Sequence, residues 1–454
     1  MVTDPVHTVE AAENEEPLAR RLPATLRRLA ELPPSVDPPY LTVALDWRPQ
    51  GERPGRQGRI EPEAAQRRGG HEKERPGPVW RASWEQVGRQ LDDLLATFEP
   101  HTPTHQSLRA DLARIPDALQ EVVPAAHGVF IVANAAADVF EVLALGLPLE
   151  TSFALGPTPA LNRLAQAIDD HPPYAILLSD QREATLTFVS HGVALSDLAV
   201  GGSSYPQRTD QGGWSQQRNQ RRADERIEAF AQQVGEQTRV ALEESGIRRL
   251  VVAADEPVAS ALQHDLHQTV CDRIVATTQI QGGAPIADQI AETMPLVEQH
   301  EREREAQAVQ QVEDNHGPGG TAVAGSDDVV AALLSGQVMT LVINSDFTAP
   351  GWADFDQGLV GAGEVPSEHP YGGDAEALVS VKLEHELIRL ALQQDATIEF
   401  VAADVPVSAE DLADIPEAGQ ARPRSDAATQ LAALGGVGAI LRYSLTGDQS
   451  TAEL

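Results

Sequence analysis

Two glutamines follow a glycine pair in the segment 210–246, and a group of arginines comes directly after them. The Gly212-Gly213 pair leaves the backbone unrestricted by side chains, so the chain can enter a tight space. Gln216 and Gln217 carry amides that donate and accept hydrogen bonds without charge, and such a group can orient a water. The arginines fall within nine residues and are Arg218, Arg221, Arg222 and Arg226. Because planar guanidinium groups suit phosphate, the segment predicts a basic element that reaches an anionic partner.

A plainer interpretation of these residues stays open. Glycine and glutamine are also typical of a flexible surface loop. Arginines three and four residues apart share a helix face, where they can pair with Asp224, Glu225 and Glu228. Trp214 suits stacking on an unpaired base, but it equally suits a side chain that anchors its own loop.

The composition limits the classes of partner. The chain has 454 residues and a formal charge of −34, and its only lysines are Lys73 and Lys382. Phosphate binding relies on Lys and Arg, so DNA binding is not expected and any RNA contact must be local, through arginine clusters. No apolar run reaches the roughly eighteen residues of a membrane span, and the acidic N-terminal segment lacks the apolar core of a secretory signal. We therefore expect a cytoplasmic protein without a membrane partner.

Metal and cofactor chemistry is not expected either. The single cysteine, Cys271, cannot form an internal disulfide or a cysteine-based zinc site. His264 and His267, like His101 and His105, have spacings that occur among metal ligands. No third ligand accompanies either pair, so we predict no metal and no cofactor.

The succession of apolar patterns predicts an α/β fold in three domains. Residues 1–125 form an N-terminal α/β domain with an acidic tail and an exposed, disordered loop at 48–79. Residues 126–282 form a central domain that carries the Gly-Gly loop at 210–222. Residues 283–454 form a C-terminal α/β domain.

Local periodicity predicts particular elements inside these domains. The predicted strands are 40–47, a pair around 134–138, 174–179, 184–189, 250–254, 273–278, 340–344 and 397–402. The predicted helices, besides the long one after the Gly-Gly loop, are 18–32, 84–98, 105–121, 160–170, one through Pro257, 283–313, 327–334, 378–393 and 426–434. The stretch 346–376, rich in Gly and Pro, is predicted to be a loop.

The end of the chain carries a resemblance. The closing sequence GGVGAILRY (435–443) is similar to the C-terminal signature of the archaeo-eukaryotic class-1 peptide chain release factors and their Pelota relatives. Upstream, SDDVVAALLSGQVMTLVIN (326–344) is similar to a helix-then-strand segment of that family. The central order of strands, Gly-Gly loop and Arg-rich helix also matches. The resemblance covers roughly residues 127–454 and is closest to the bacterial members.

The resemblance implies a role for the Gly-Gly loop. In the release factors a Gly-Gly-Gln loop enters the ribosomal peptidyl-transferase centre, where its glutamine helps water attack the peptidyl-tRNA ester. Here Trp214 stands in the place of that glutamine, and Gln216 and Gln217 come three and four residues after Gly213. Gln216 is therefore the expected water-positioning residue and Gln217 the second choice, with the arginines and Trp214 binding RNA. No motif like the family's stop-codon reader occurs, so codon reading is not expected.

Three functions follow as hypotheses. The first is a ribosome-associated translation factor for rescue or quality control, with peptidyl-tRNA hydrolysis. The second is a non-enzymatic ribosome-binding factor for hibernation or protection, which Trp214 favours. The third is an RNA-processing enzyme off the ribosome, which would need a metal-binding carboxylate cluster that the sequence does not supply. The expected partners are the ribosome, through its rRNA and tRNA, and, as the resemblance implies, an elongation-factor-type GTPase.

Overall fold

The structure is a computed structural model, and its described residues belong to two compact units. The described ranges are 6–8, 18–48, 80–122, 126–180, 183–190, 193–202, 216–254, 258–280, 284–403 and 424–444. The first unit comprises Met1–Glu13, Ala24–Asp169 and Glu305–Leu454, and the second comprises Asn14–Pro23 and Asp170–Arg304. Strands and helices mix in both units, so the predicted α/β class is confirmed. Among the helices in these ranges, none has the length and apolar character needed to cross a membrane.

The N-terminal part of the chain builds a five-stranded sheet. Its strands are β1 (Val6–Thr8), β2 (Tyr40–Asp46), β3 (Gly128–Asn134), β4 (Val139–Leu145) and β5 (Ser152–Gly156). They lie in the order β1-β4-β3-β2-β5, and only the β1–β4 pairing is parallel. The helices of this part are α1 (Leu18–Ala30), α2 (Trp80–Leu95), α3 (Pro103–Glu121) and α4 (Asn162–Asp170). Apolar side chains of α2 and α3 pack on one face of the sheet.

This sheet crosses the predicted boundary at residue 125. Strand β2 pairs with β3 on one side and with β5 on the other. The strands predicted to open the central domain therefore complete the N-terminal sheet, because their backbone partners come from residues 40–46. Strand β5 was not predicted, and the division into three domains stays a prediction.

Helix α3 buries a carboxylate beneath the turn between β3 and β4. Asp111 is 1% exposed. Its Oδ2 accepts a hydrogen bond from the backbone N–H of Ala135 at 3.3 Å, while Oδ1 has no hydrogen-bond partner among the described residues. Burial raises the pKa of the Asp111 carboxyl from 3.8 to about 6, against the lowering effects of the Ala135 hydrogen bond and of Arg114.

Asp111→Asn is expected to stabilise the protein at about pH 7.5 by roughly 1–2 kcal/mol and to keep only about half of that advantage near pH 5. The folded carboxyl binds its proton more tightly than the unfolded one. Its stabilising contribution is therefore full below the unfolded pKa and is lost as the pH rises through about 6. Urea unfolding at the two pH values measures the effect. Asp117→Asn, an exposed position on the same helix, is the control, and a parallel pH response of both variants would contradict the prediction.

The second unit is a five-stranded sheet with helices on both faces. Its strands are β6 (Tyr174–Ser179), β7 (Glu183–Ser190), β8 (Val193–Gly202), β9 (Leu250–Ala254) and β10 (Ile274–Thr278), in the order β10-β9-β6-β7-β8. The helices are α5 (Gln216–Ser245), α6 (Val258–Asp265), α7 (Gln268–Cys271) and α8 (Ile286–Asn315, of which the residues up to Arg304 belong here). Helices α5, α6 and α7 pack on one face. Ile290 and Val297 of α8 pack on the other face.

Most predicted strands and helices of this unit are found in the structure. Strands β6 and β9 have the predicted bounds, and α5 ends before Gly246, whose φ of 70° is the left-handed conformation of a helix terminator. Strand β8 was not predicted. It extends to Gly202.

The C-terminal part of the first unit contains two further sheets. Its strands are β11 (Ala322–Ala324), β12 (Val338–Asn344), β13 (Pro350–Asp354), β14 (Leu359–Ala362), β15 (Val379–Lys382), β16 (Thr397–Val401) and β17 (Val437–Leu441). The helices are α9 (Ser326–Leu334), α10 (Leu383–Gln393) and α11 (Asp426–Ala433). One sheet has the order β11-β17-β12-β16, and the other has the order β14-β13-β15.

The predicted loop at 346–376 is wrong in part, since it contains β13 and β14. The predicted helix at 378–393 is wrong at its start, where residues 379–382 form β15. The loop prediction was wrong because glycine was taken as a sign of a loop. A Cβ on Gly361 would lie 2.2 Å from the indole of Trp352, so this strand position requires glycine for packing.

The closing Gly-Gly-Val-Gly sequence forms a turn and then a central strand. Gly435 and Gly436 have φ values of 101° and 79°, which lie in the left-handed region that favours glycine. Strand β17 then lies between β11 and β12. A Cβ on Gly438 would meet Val312 of α8 at 2.7 Å, so the glycine permits this helix to pack closely on the sheet.

Candidate nucleic-acid interface

The predicted site residues lie at the start of α5 or just before it. Gly212, Gly213 and Trp214 are outside the described residues. Gln216 is the first residue of α5, and Gln217 is the second. The predicted loop at 210–222 is wrong from residue 216 onward, where α5 begins. The Gln, Arg, Ala and Glu residues of this stretch favour a helix. The side chains of residues 216–227 lie outside the described part of the structure.

The later turns of α5 fix this helix in the second unit. Phe230, Ala231, Val234, Ala241 and Leu242 are buried and pack in the core beneath the sheet. Phe230 comes fourteen residues after Gln216. At about 1.5 Å per residue, roughly 20 Å of helix separates the two positions. Gln216 therefore begins a helical arm whose other end is held by the sheet.

The helix backbone places the arginine positions on one side. At about 100° per residue, positions 218, 221 and 222 lie within one sector. That sector is roughly opposite the stripe that contains Phe230, Val234 and Leu242. Position 226 lies between the two sectors, and position 216 falls on the side of the buried stripe. The helix thus brings three arginine positions together and separates them from Gln216.

Farther along α5, one arginine shows how this helix can pair its own charges. Arg239 forms ion pairs with Glu236 at 2.6 Å and with Glu243 at 2.7 Å. Hydrogen bonds from these two glutamates raise the pKa of Arg239. The charge of Arg239 is therefore compensated by acidic residues of the same helix. Arg239 can serve as a control for the arginines of the first turns.

Of the histidines that were considered as metal ligands, His267 has a structural role. His267 caps α7 by accepting from the backbone N–H of Thr269 at 3.3 Å. His101 occupies a positive φ of 74° ahead of α3. Within the described ranges, no group of three or more His, Cys, Asp or Glu side chains could hold a metal ion.

One buried polar pair was missed in the sequence. His369 Nε2 lies 3.1 Å from Asp354 Oδ2, and both side chains are 1% exposed. His369 Nδ1 accepts backbone hydrogen bonds from Tyr371 and Gly373, so the proton lies on Nε2 and is donated to Asp354. The pair fastens the loop between β14 and β15. Fifteen residues separate the partners in a Gly/Pro-rich stretch, and no sequence pattern connects them.

The helical arm lies in a region of the chain that is similar in sequence to known proteins. Residues 159–314 match the model of the bacterial archaeo-eukaryotic release factor family 10. The chain is also 28% identical, over 198 residues, to peptide chain release factor subunit 1 of Methanocaldococcus jannaschii. That match covers 41% of this chain and 46% of the relative, so the chain spans less than half the length of the relative it matches. These matches confirm the predicted resemblance to the release factors for the part of the chain that they cover.

Solved structures of the same kind also match. A crystal structure of the archaeal translation termination factor aRF1 is 15% identical with a TM-score of 0.23, and the match covers 97% of this chain and 99% of that one. A model of ribosome-bound archaeal Pelota and ABCE1 is 15% identical with a TM-score of 0.35, and the match covers 67% and 72% of the two chains. Both TM-scores are below 0.5, so these structures carry no weight in the functional interpretation.

Proposed function

We propose that this chain is a cytoplasmic translation factor that binds the ribosome in rescue or quality control and does not read stop codons. The observation that carries the proposal is the arm of α5. A Gly-Gly sequence precedes a helix whose first turns hold two glutamines and four arginines and whose later turns are packed in a core. This arm lies within the region that matches a release-factor family.

The residue types in the helical arm are suited to a binding site made mostly of RNA. Arginine positions on one side of the helix can bind phosphates by charge-assisted hydrogen bonds. A neutral amide at the helix start can orient a water by donating and accepting hydrogen bonds. The amide would contribute by holding the water in position, because the surrounding RNA supplies most of the environment of the ester. The reaction proposed for the arm is attack of that water on the peptidyl-tRNA ester, with Gln216 as the positioning residue.

A peptide-release assay tests the hydrolytic part. Ribosomes loaded with peptidyl-tRNA are expected to release peptide with the parent protein, and Gln216→Ala is expected to lower the rate about 100-fold, the scale of removing one positioned donor. Gln217→Ala should have a smaller effect. Gln232→Ala, at an exposed position of the same helix, is the control. Absence of release by the parent would remove the enzymatic claim, and an equal loss in the control would remove the assignment to Gln216.

The second candidate is a ribosome binder without hydrolysis. The residue that favours it is Trp214, which stands directly after Gly213 where the release factors have their glutamine. This candidate predicts co-sedimentation with empty ribosomes and no peptide release. Binding restricted to stalled complexes that carry peptidyl-tRNA would contradict it.

An elongation-factor-type GTPase is the proposed protein partner. The support is the resemblance of the C-terminal segment, residues 326–344 and 435–443, to the release-factor and Pelota group. Co-purification with such a GTPase in the presence of a non-hydrolysable GTP analogue tests the interaction.

A further inference from the structure

The connection between β14 and β15 presents an aromatic side chain to solvent. Tyr371 lies in this connection and is 71% exposed. A single exposed aromatic side chain is common on protein surfaces, so the structure beneath it decides whether it can serve as a binding residue. Aromatic residues that dominate binding energies are held in place before the partner arrives.

A buried histidine fixes the backbone beneath Tyr371. His369 Nδ1 accepts hydrogen bonds from the backbone N–H of Tyr371 at 3.2 Å and from that of Gly373 at 2.9 Å. On its other side, His369 Nε2 donates to Asp354 Oδ2 at 3.1 Å. Asp354 Oδ1 in turn accepts from the backbone N–H of Asp356 at 3.0 Å. Because the side chains of His369 and Asp354 are each 1% exposed, water competes little for these bonds, and the connection is held in one conformation.

The same histidine orients the ring of Tyr371. The two ring centroids lie 6.4 Å apart, and the ring planes meet at 65°, which is an edge-to-face arrangement. A Cβ on Gly373 would lie 2.9 Å from the His369 imidazole, so a glycine is needed where the backbone closes around this side chain. The Tyr371 ring is thus supported on one side and open to solvent over most of its surface. Such preorganisation lowers the conformational cost of binding.

The chain around Tyr371 carries negative charge only. No lysine or arginine occurs between Gly351 and Val381. The exposed acidic residues of this interval are Asp356, Glu364, Glu368, Asp374 and Glu376. Glu368 and Asp374 are each three residues from Tyr371, so their Cα atoms lie within about 11 Å of the tyrosine Cα. Negative charge of this kind repels nucleic-acid phosphates and attracts a cationic protein segment.

We propose that Tyr371 and the acidic residues beside it bind an arginine-rich segment of a protein partner. A guanidinium group stacks on the open face of the tyrosine ring, and Glu368 and Asp374 supply carboxylate acceptors for charge-assisted hydrogen bonds. Arginine fits this surface better than lysine, because its planar group both stacks on aromatic rings and forms paired hydrogen bonds. This protein-binding role is separate from the RNA contact proposed for α5.

Fluorescence anisotropy with the full chain and labelled hexa-arginine and hexalysine peptides tests the surface. At about 150 mM salt, hexa-arginine is expected to bind at least about three-fold more tightly than hexalysine. Tyr371→Ala should weaken the binding of hexa-arginine about three- to five-fold and remove this preference. Tyr371→Phe keeps the ring and should keep most of the affinity. Tyr371 is exposed, so both variants should fold like the parent.

Matched substitutions separate this surface from the general negative charge of the chain. Tyr443→Ala removes another exposed tyrosine, which is 55% exposed, and should leave the affinity unchanged. Glu368→Gln should weaken hexa-arginine binding, whereas Glu313→Gln removes the same charge from an exposed position of α8 and should not.

Three results would overturn the proposal. The first is unchanged hexa-arginine affinity in Tyr371→Ala, or an equal loss in Tyr443→Ala. The second is an equal effect of Glu368→Gln and Glu313→Gln, which would show that only the net charge of the chain matters. The third is binding of a labelled oligouridine that depends on Tyr371, which would assign the surface to RNA.

Discussion

Replacing Arg218, Arg221 and Arg222 together by glutamate is expected to weaken ribosome binding by at least about 100-fold. The backbone of α5 places the three positions in one sector, opposite the buried stripe. If each contacts one phosphate, the affinity of the parent should fall about 20- to 40-fold between about 50 and about 200 mM salt. The triple variant should lose most of this salt dependence. Sedimentation binding at several salt concentrations measures both quantities.

The matched control for this variant lies on the same helix. Arg239 is held between Glu236 and Glu243, so Arg239→Ala removes an arginine whose charge is already compensated. Its binding to the ribosome should be unchanged. Circular dichroism of both variants checks that α5 still forms. Equal binding by the parent and the triple variant would instead support pairing of these arginines with the acidic residues of their own helix.

Replacing Glu386 by alanine is expected to destabilise the first unit by about 3–5 kcal/mol. The Glu386 side chain is 1% exposed. Its Oε1 accepts from Thr158 Oγ1 at 2.6 Å and its Oε2 accepts from Arg389 Nε at 2.7 Å. Removing the carboxylate leaves the nearly buried Arg389 without its counter-charge. It also removes a contact between the N-terminal and C-terminal parts of this unit.

Urea unfolding measures this effect against two further variants. Glu386→Gln keeps an acceptor for Thr158 and should lose less stability than the alanine variant. Glu376→Ala, an exposed glutamate in the same part of the chain, should unfold like the parent. A Glu386→Ala variant as stable as the Glu376→Ala control would show that the Glu386 contacts contribute nothing.

Local patterns in the sequence determined most individual elements. Strands β6 and β9 have the predicted bounds, and the long helix is found where it was expected. These features depend on periodicity, helix propensity and backbone sterics, which act over a few residues. The Gly-Gly, glutamine and arginine residues of the candidate interface are also visible in the sequence, because they occupy one continuous segment.

Contacts between distant segments became visible only in the tertiary structure. Strand β2 takes its partners from residues 128–134 and 152–156, so the N-terminal sheet crosses the boundary at residue 125 that the sequence pattern predicted. Glu386 contacts Thr158 across more than two hundred residues of sequence. Strand pairing and burial depend on which surfaces meet. The local periodicity of one segment does not indicate which distant segment it contacts.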